Sequence, residues 1–321
     1  MGPVQHRFIE TNGIRMHIAE KGDGPLVLLC HGFPESWYSW RHQIDALAAG
    51  GFRVVAPDMR GYGQTDAPEP IDAYSIFHLA GDMVGLLDAL GAGTAVIAGH
   101  DWGAPVAWHA ALFRPDRFRA VIGLSVPFRP RGPHRPAMPQ TETAMFYQLY
   151  FQEPGRAEAE LQADIRASLR DILLRLSGDV PLAEGPEDFA MVPLDTGLRG
   201  RMAAFAATPL PPWLGERDLG SYVAEFERAG FRGGLNWYRN IMRNWDLMAP
   251  FAGARVGVPA LYVAGDHDLV LRFPGARDLV ANLEQFVPSL RKIILPGCGH
   301  WTQQERPAEV SAAMLAFLKD L

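Results

Sequence analysis

The stretch Thr94–Ala111, TAVIAGHDWGAPVAWHAA, decides the fold. It reads as a buried strand over Thr94–Ala98, a sharp turn over Gly99-His100-Asp101-Trp102-Gly103, and then a helix. Two glycines bracket the turn with Asp101 at its centre. Small residues at those ends let a strand and a helix approach closely around a strained backbone. The strain lifts the central side chain off the carboxyl edge of a sheet and into a cleft. A Ser at the centre of such a nucleophile elbow attacks carbonyl groups. An Asp there attacks carbon directly and forms an ester. Taken alone, the same residues also describe an ordinary strand–turn–helix in which Asp101 caps the helix.

Moving outward, the pattern on both sides is that of an α/β chain. Arg7–Thr11 and Ile14–Glu20 form an antiparallel opening pair around the Asn12-Gly13 turn signal. Leu26–Cys30, LVLLC, is the continuous apolar run expected of a strand buried on both faces. Trp40–Ala49 reads as a helix, Phe52–Ala56 as a strand, Ser75–Leu90 as a helix and Ala120–Val126 as a strand. Strands alternating with helix-length crossovers imply a doubly wound, mostly parallel sheet. The alternation stops after Pro127. Phe128–Pro139, rich in Pro and Arg, reads as a boundary. From Thr141 to Leu247 the chain reads as helices without a Val/Ile strand. Ala157–Leu176 is amphipathic through Leu161, Ile165, Leu169, Ile172 and Leu173. Pro181–Pro212 is expected to be a loop, and Tyr222–Ala229 and Gly234–Trp245 helices. Sheet logic resumes at Pro259–Ala264 and Arg291–Leu295, and Pro307 opens a final helix. The expected organisation is therefore a core of residues 1–130 and 251–321 with a helical lid, 131–250, inserted into it.

Ligands of open α/β sheets bind at the carboxyl ends of the strands. Four groups fall there: His31-Gly32-Phe33-Pro34, Asp101, Asp266 to Asp268, and Gly297 to His300. The last three run nucleophile, acid, histidine. His300 follows a glycine-rich loop and suits a base near neutral pH. Asp266 or Asp268 can orient it, and spacing does not choose between them. The backbone N–H groups of Phe33 and Trp102 can form an oxyanion hole. The inserted segment carries two tyrosine clusters, Phe146–Phe151 and Trp237–Asn240, whose hydroxyls can donate to a substrate oxygen.

These residues together closely resemble the α/β-hydrolase epoxide hydrolases, particularly the soluble type. The matching pieces are HGFPESWYSWRHQ from His31, PDMRGYGQTDAP from Pro57, GHDWGA from Gly99, FYQLYFQEPG from Phe146, FRGGLNWYRN from Phe231, GDHDLV from Gly265 and GCGHWTQQE from Gly297. The resemblance implies an α/β-hydrolase fold with Asp101 as nucleophile and His300 as base. It selects Asp268 over Asp266 as the acid, makes Tyr147 and Tyr238 the lid tyrosines, and makes His31–Pro34 the oxyanion loop with Phe33 and Trp102. It implies an epoxide and water as reactants, a vicinal diol as product, and no cofactor. Larger animal members of the family carry an extra phosphatase domain, for which this chain has no room. Trp213, Met242 and Phe128 are expected to line the pocket.

The bulk properties agree. The chain has 321 residues, 48% hydrophobic and 21% charged, with a net charge of -6, an ordinary globular composition. There is no basic stripe for nucleic acid, no signal core or membrane-spanning run, and no metal-ligand spacing. The two cysteines, Cys30 and Cys298, do not make a disulfide framework. A cytoplasmic monomer or homodimer is expected. Two other readings share the fold: a haloalkane or haloacid dehalogenase, which needs halide-binding groups in place of the two tyrosines, and a non-catalytic binding protein, which loses part of the triad.

Overall fold

Leu26–Cys30 is buried at every position because it lies inside a sheet covered on both faces. The computed structural model describes residues 2–180, 190–202 and 205–321. Its strands are β1 (Gln5–Thr11), β2 (Ile14–Lys21), β3 (Leu26–Cys30), β4 (Arg53–Pro57), β5 (Ala95–His100), β6 (Phe118–Leu124), β7 (Ala144–Phe146), β8 (Met191–Pro193), β9 (Ala260–Gly265) and β10 (Leu290–Leu295). Eight of them form one sheet in the order β1-β2-β4-β3-β5-β6-β9-β10. β1 and β2 are antiparallel to their neighbours, and every pairing from β4 to β10 is parallel.

Side chains alternate across the sheet, as a period of two requires. Val27, Leu29, Val96 and Ala98 face one side, where Ile44 and Leu47 of helix α1 (Arg41–Ala49) and Val310 and Met314 near the chain's end pack. Leu28, Cys30 and Ile97 face the other, against Leu79 and Met83 of α2 (Ile76–Ala89) and Val106 and Ala107 of α3 (Gly103–Phe113).

Between β6 and β9 the chain leaves the sheet. It forms α4 (Tyr147–Tyr150), α5 (Arg156–Ala163), α6 (Ile165–Arg175), α7 (Gly197–Met202), α8 (Glu216–Ala229), α9 (Arg232–Arg239) and α10 (Ile241–Leu247). Three sequence expectations fail here. The amphipathic stretch Ala157–Leu176 is two helices, because Asp164 turns extended and caps α6 through the Ala167 amide. Gly234–Trp245 is divided between α9 and α10 at Asn240. Within Pro181–Pro212, residues 181–189 and 203–204 lie outside the described residues, and the remainder is not all loop. It contains α7 and strand β8, which pairs antiparallel with β7, so the segment is not free of strands. After β9 come α11 (Ala276–Ala281), β10, α12 (Thr302–Glu305) and α13 (Pro307–Lys319). The carboxyl ends of β3, β5, β6, β9 and β10 share one edge of the sheet, and the inserted helices cover it.

Candidate active site

β5 runs through His100, two residues further than its apolar run suggests, and Asp101 then takes a left-handed backbone at φ 48°. That conformation is costly for a side-chain-bearing residue and marks a functional outlier. The glycines make it possible. A Cβ on Gly99 would strike the Gly103 carbonyl, and one on Gly103 would strike the Cys30 carbonyl at the end of β3. Asp101 is therefore the crown of the turn and does not cap the helix from outside it.

Its two carboxylate oxygens have separate partners. The Phe33 amide donates to Oδ1 at 2.8 Å. His300 Nε2 lies 3.4 Å from Oδ2. A Cβ on Gly32 would collide with the same carboxylate, so glycine there permits the approach of the His31–Pro34 loop. Trp102 follows with helical φ and ψ as α3 begins. His31, in contrast, takes no part in this contact. Its Nε2 accepts the Met59 amide at 3.0 Å, so Nδ1 carries the proton and donates to the Gly32 carbonyl at 2.9 Å. It is a neutral fastener of the loop.

Spacing left the acid open, and the structure separates the two candidates. Asp268 is fully buried, with Oδ1 3.1 Å from His300 Nδ1. Asp266 is half-exposed and accepts the Gly297 amide at 2.7 Å. Burial opposes charge on His300, but the Asp268 and Asp101 carboxylates outweigh it and raise its pKa well above the ordinary value. Burial likewise opposes charge on Asp101. The hydrogen bond and positive charge of His300, with the Phe33 amide, hold it below the usual carboxylate range.

Asp101 and His300 open onto a cavity of about 120 Å³. Tyr147 of α4 and Tyr238 of α9 line it too, their ring centroids 5.8 Å apart, with Phe33 and Phe151 between walls that are largely apolar. Burial, reinforced by the nearby Asp101 charge, pushes both hydroxyls up in pKa, so both remain donors. The Asp171–Arg175 ion pair of α6, 2.8 Å apart, adds a polar patch to the wall. The three expected lining residues fall elsewhere. Trp213 donates its indole N–H to Ser177 Oγ at 3.1 Å. Phe128 is buried against Trp108, centroids 6.2 Å apart. Met242, on α10, is also not among the cavity residues.

Sequence reasoning missed the supports beneath these groups. His100 Nε2 donates to the His300 carbonyl at 2.7 Å, and its Nδ1 lies 2.7 Å from Glu35 Oε2. Glu35 also receives the Gly32 amide at 2.9 Å. One buried pair thus ties the oxyanion loop, the elbow and the histidine loop together. Burial disfavours charge on Glu35, but His100 and the Gly32 amide hold its pKa below the usual range. Glu305 is a second support. It accepts the amides of Trp301 at 3.0 Å, Gly299 at 2.8 Å and Gly178 at 2.9 Å. The His300 amide donates in turn to the Leu176 carbonyl at 2.9 Å, so the insertion is bonded directly to the loop that carries the histidine. The only available signal was position: Glu35 and His100 sit inside the quoted motifs, and Glu305 ends one.

Among the described residues no group of His, Cys, Asp or Glu is arranged to hold a metal ion, and no helix is long and apolar enough to cross a membrane.

A mostly parallel sheet of this order with a strained acidic elbow, a histidine after the last strand and an acid after the one before it defines an α/β hydrolase. Residues 25–307 match the family model described as the alpha/beta hydrolase fold. The chain is 46% identical to epoxide hydrolase A of Mycobacterium tuberculosis over 100% of this chain and 99% of that one. It is 42% identical to bifunctional epoxide hydrolase 2 of Sus scrofa over 96% of this chain, but spans only 54% of that longer protein. A solved epoxide hydrolase from an endophytic Streptomyces superposes with a TM-score of 0.91 at 44% identity, covering 98% of this chain and 95% of that one. The chain belongs to the epoxide hydrolases of the α/β-hydrolase fold.

Proposed function

We propose that this epoxide hydrolase converts epoxides to vicinal diols through a covalent ester on Asp101. The epoxide lies in the cavity between the sheet edge and the inserted helices. Tyr147 and Tyr238 donate hydrogen bonds to its oxygen. An Asp101 oxygen attacks one ring carbon, the carbon–oxygen bond of the ring breaks, and the alkoxide, still attached through carbon, takes a proton from one of the two tyrosine hydroxyls that hold it. His300, oriented by Asp268, then takes a proton from water as it attacks the ester carbonyl. The Phe33 and Trp102 amides hold the resulting oxyanion. Collapse breaks the bond between the Asp101 carbonyl carbon and the alkyl oxygen and frees the diol; of the two protons of the attacking water, one passes to that oxygen and the other restores the tyrosine hydroxyl. No cofactor enters this balance.

One observation carries the reading. The same cavity holds a carboxylate on a left-handed elbow, an imidazole 3.4 Å from it, and two tyrosine donors. In this reading residues 131–250 act as a lid over a core of residues 1–130 and 251–321. The enzyme works in the cytoplasm as a monomer or homodimer, on a small epoxide and water, without nucleic-acid or membrane partners. The tyrosine pair favours epoxide opening over dehalogenation, which needs donors for a departing halide.

His300→Gln removes the base but not the nucleophile. A base contributes on the order of 10²- to 10⁴-fold, so this variant should accumulate ester. Intact mass spectrometry after mixing with an aryl or alkyl epoxide should show a gain equal to the whole epoxide, mapped to Asp101. A single turnover of the unmutated enzyme in heavy-oxygen water should place label in the Asp101 carboxylate. No adduct, with label in the diol alone, would mean direct hydration and end the ester reading.

A further inference from the structure

Three described residues other than glycine adopt left-handed backbones: Asn12, Asp101 and Ser125. Asn12 serves the turn between β1 and β2, and Asp101 is the elbow. Ser125, at φ 66° and fully buried, follows the end of β6. Nothing in the turn itself calls for serine, since glycine adopts this φ without strain. The backbone is pinned by its neighbour β9: the Ser125 amide donates to the Val263 carbonyl at 2.9 Å, and the Tyr262 hydroxyl donates to the Ser125 carbonyl at 2.7 Å. The side chain points at the histidine. Ser125 Oγ lies 3.0 Å from His300 Nδ1, beside the Asp268 Oδ1 contact at 3.1 Å.

The hold of Asp268 on the ring is through one point. Oδ1 also accepts the Val270 amide at 2.9 Å, and the buried Oδ2 has no hydrogen-bond partner among the described residues. A ring held at one atom can pivot about that contact. A second acceptor, just past the end of β6, removes the pivot. We propose that Ser125 is a positioning residue for His300: its hydroxyl shares the Nδ1 proton with Asp268, fixes the ring plane that aims Nε2 at the Asp101 ester, and stabilises the imidazolium formed as water is deprotonated. The strain at Ser125 is then the cost of placing a hydroxyl at this position.

This inference rests on His300 being the base, and its test is separable from that reading. Ser125→Gly and Ser125→Ala both delete the hydroxyl, but only glycine relieves the left-handed strain. Positioning predicts that the two variants form the Asp101 ester within about twofold of the unmutated rate. Both should hydrolyse it more slowly by on the order of 10-fold, the usual loss for one hydrogen bond to a charged group. Rapid-quench mass spectrometry on an aryl epoxide reads both steps. The charged and titratable groups around the ring are Asp101, Asp268 and His100, whose ring centroid is 5.0 Å away. All remain in both variants, so loss of the Ser125 acceptor should lower the pKa of His300 in the ester form. The acid limb of ester hydrolysis should move to lower pH.

Ser125→Gly hydrolysing its ester at the unmutated rate with an unmoved limb would overturn the proposal. Equal losses in both steps, deeper in the alanine than in the glycine variant and matched by a lower Tm, would make Ser125 merely structural and also overturn it. If His300→Gln fails to accumulate ester, the base assignment itself fails, whatever the Ser125 variants do.

Discussion

Replacing Asp268 with Asn tests the triad where the structure gives its largest electrostatic effect. Asp268 is completely buried and its Oδ1 lies 3.1 Å from His300 Nδ1, which puts the two charge centres about 4 Å apart. At an effective dielectric of about 20, two unit charges at that distance attract by about 4 kcal/mol, or roughly 10³-fold in rate if the transition state carries the full imidazolium. An amide can also turn its NH₂ toward Nδ1 and select the wrong tautomer, an effect that costs about 10⁴-fold in a comparable triad. Asp268→Asn should therefore slow ester hydrolysis by about 10³- to 10⁴-fold, while ester formation, which does not need the base, falls far less. Asp266→Asn is the matched control. That carboxylate is 41% exposed, accepts the Gly297 amide at 2.7 Å and has the exposed His267 ring 3.9 Å away, so its loss should cost less than about 10-fold. Pre-steady-state ester formation and breakdown, followed by quench and mass spectrometry, separate the steps. The reverse ranking of the two variants, or an Asp268→Asn that hydrolyses ester at the unmutated rate, would refute the assignment.

Tyr147→Phe and Tyr238→Phe should each slow ester formation by about 10- to 1000-fold, as loss of one preorganised donor does, and barely change ester hydrolysis; unmutated rates of ester formation in both would make the tyrosines packing residues. Gly32→Ala should abolish turnover in a folded protein, because the new Cβ meets the Asp101 carboxylate; circular dichroism together with adduct mass spectrometry checks fold and nucleophile separately. Glu35, with its folded pKa lowered by His100 and the Gly32 amide, contributes stability that is present above the ordinary glutamate pKa and lost as pH falls through that value toward the lower folded one. Urea midpoints measured across that range should fall for the unmutated chain and fall less for Glu35→Gln.

Local pattern made most of the sheet legible, and tertiary contact decided the rest. LVLLC is a strand in both readings because five consecutive buried apolar residues fit little else at that length. The elbow was legible because its geometry demands glycine at two fixed positions. The break at Asp164 was not, because α5 and α6 turn their apolar faces to a common core, so Leu161, Leu169 and Leu173 keep a helical rhythm across it. β7 and β8 are three residues each, too short to show alternation. The choice of Asp268 over Asp266 depends on which carboxylate meets a ring 32 residues away in sequence. Ser125 is 175 residues from the histidine it touches, and nothing near it in the chain announces the contact. The expected pocket residues, Trp213, Met242 and Phe128, failed for a similar reason: the path of the chain after β6 decides which side chains reach the cavity.

In the proposed mechanism, the charges of the site let a carboxylate nucleophile and an imidazole base share so small a space without disabling one another. In the resting site the Asp101 carboxylate helps raise the His300 pKa, and His300 in return keeps Asp101 ionised. The pair favours a protonated imidazole, a poor base, beside an ionised nucleophile, which is the state ester formation requires. Forming the ester removes the Asp101 charge and with it one of the two carboxylates that sustain the imidazolium. Asp268 remains to orient the ring, but the balance shifts toward neutral His300 at the moment a base is needed. The tyrosines do not follow this change, because burial is the leading cause of their raised pKa values, ahead of the Asp101 charge, so they enter the reaction as protonated donors. In the proposed mechanism the order of the two chemical steps then follows from which group carries charge.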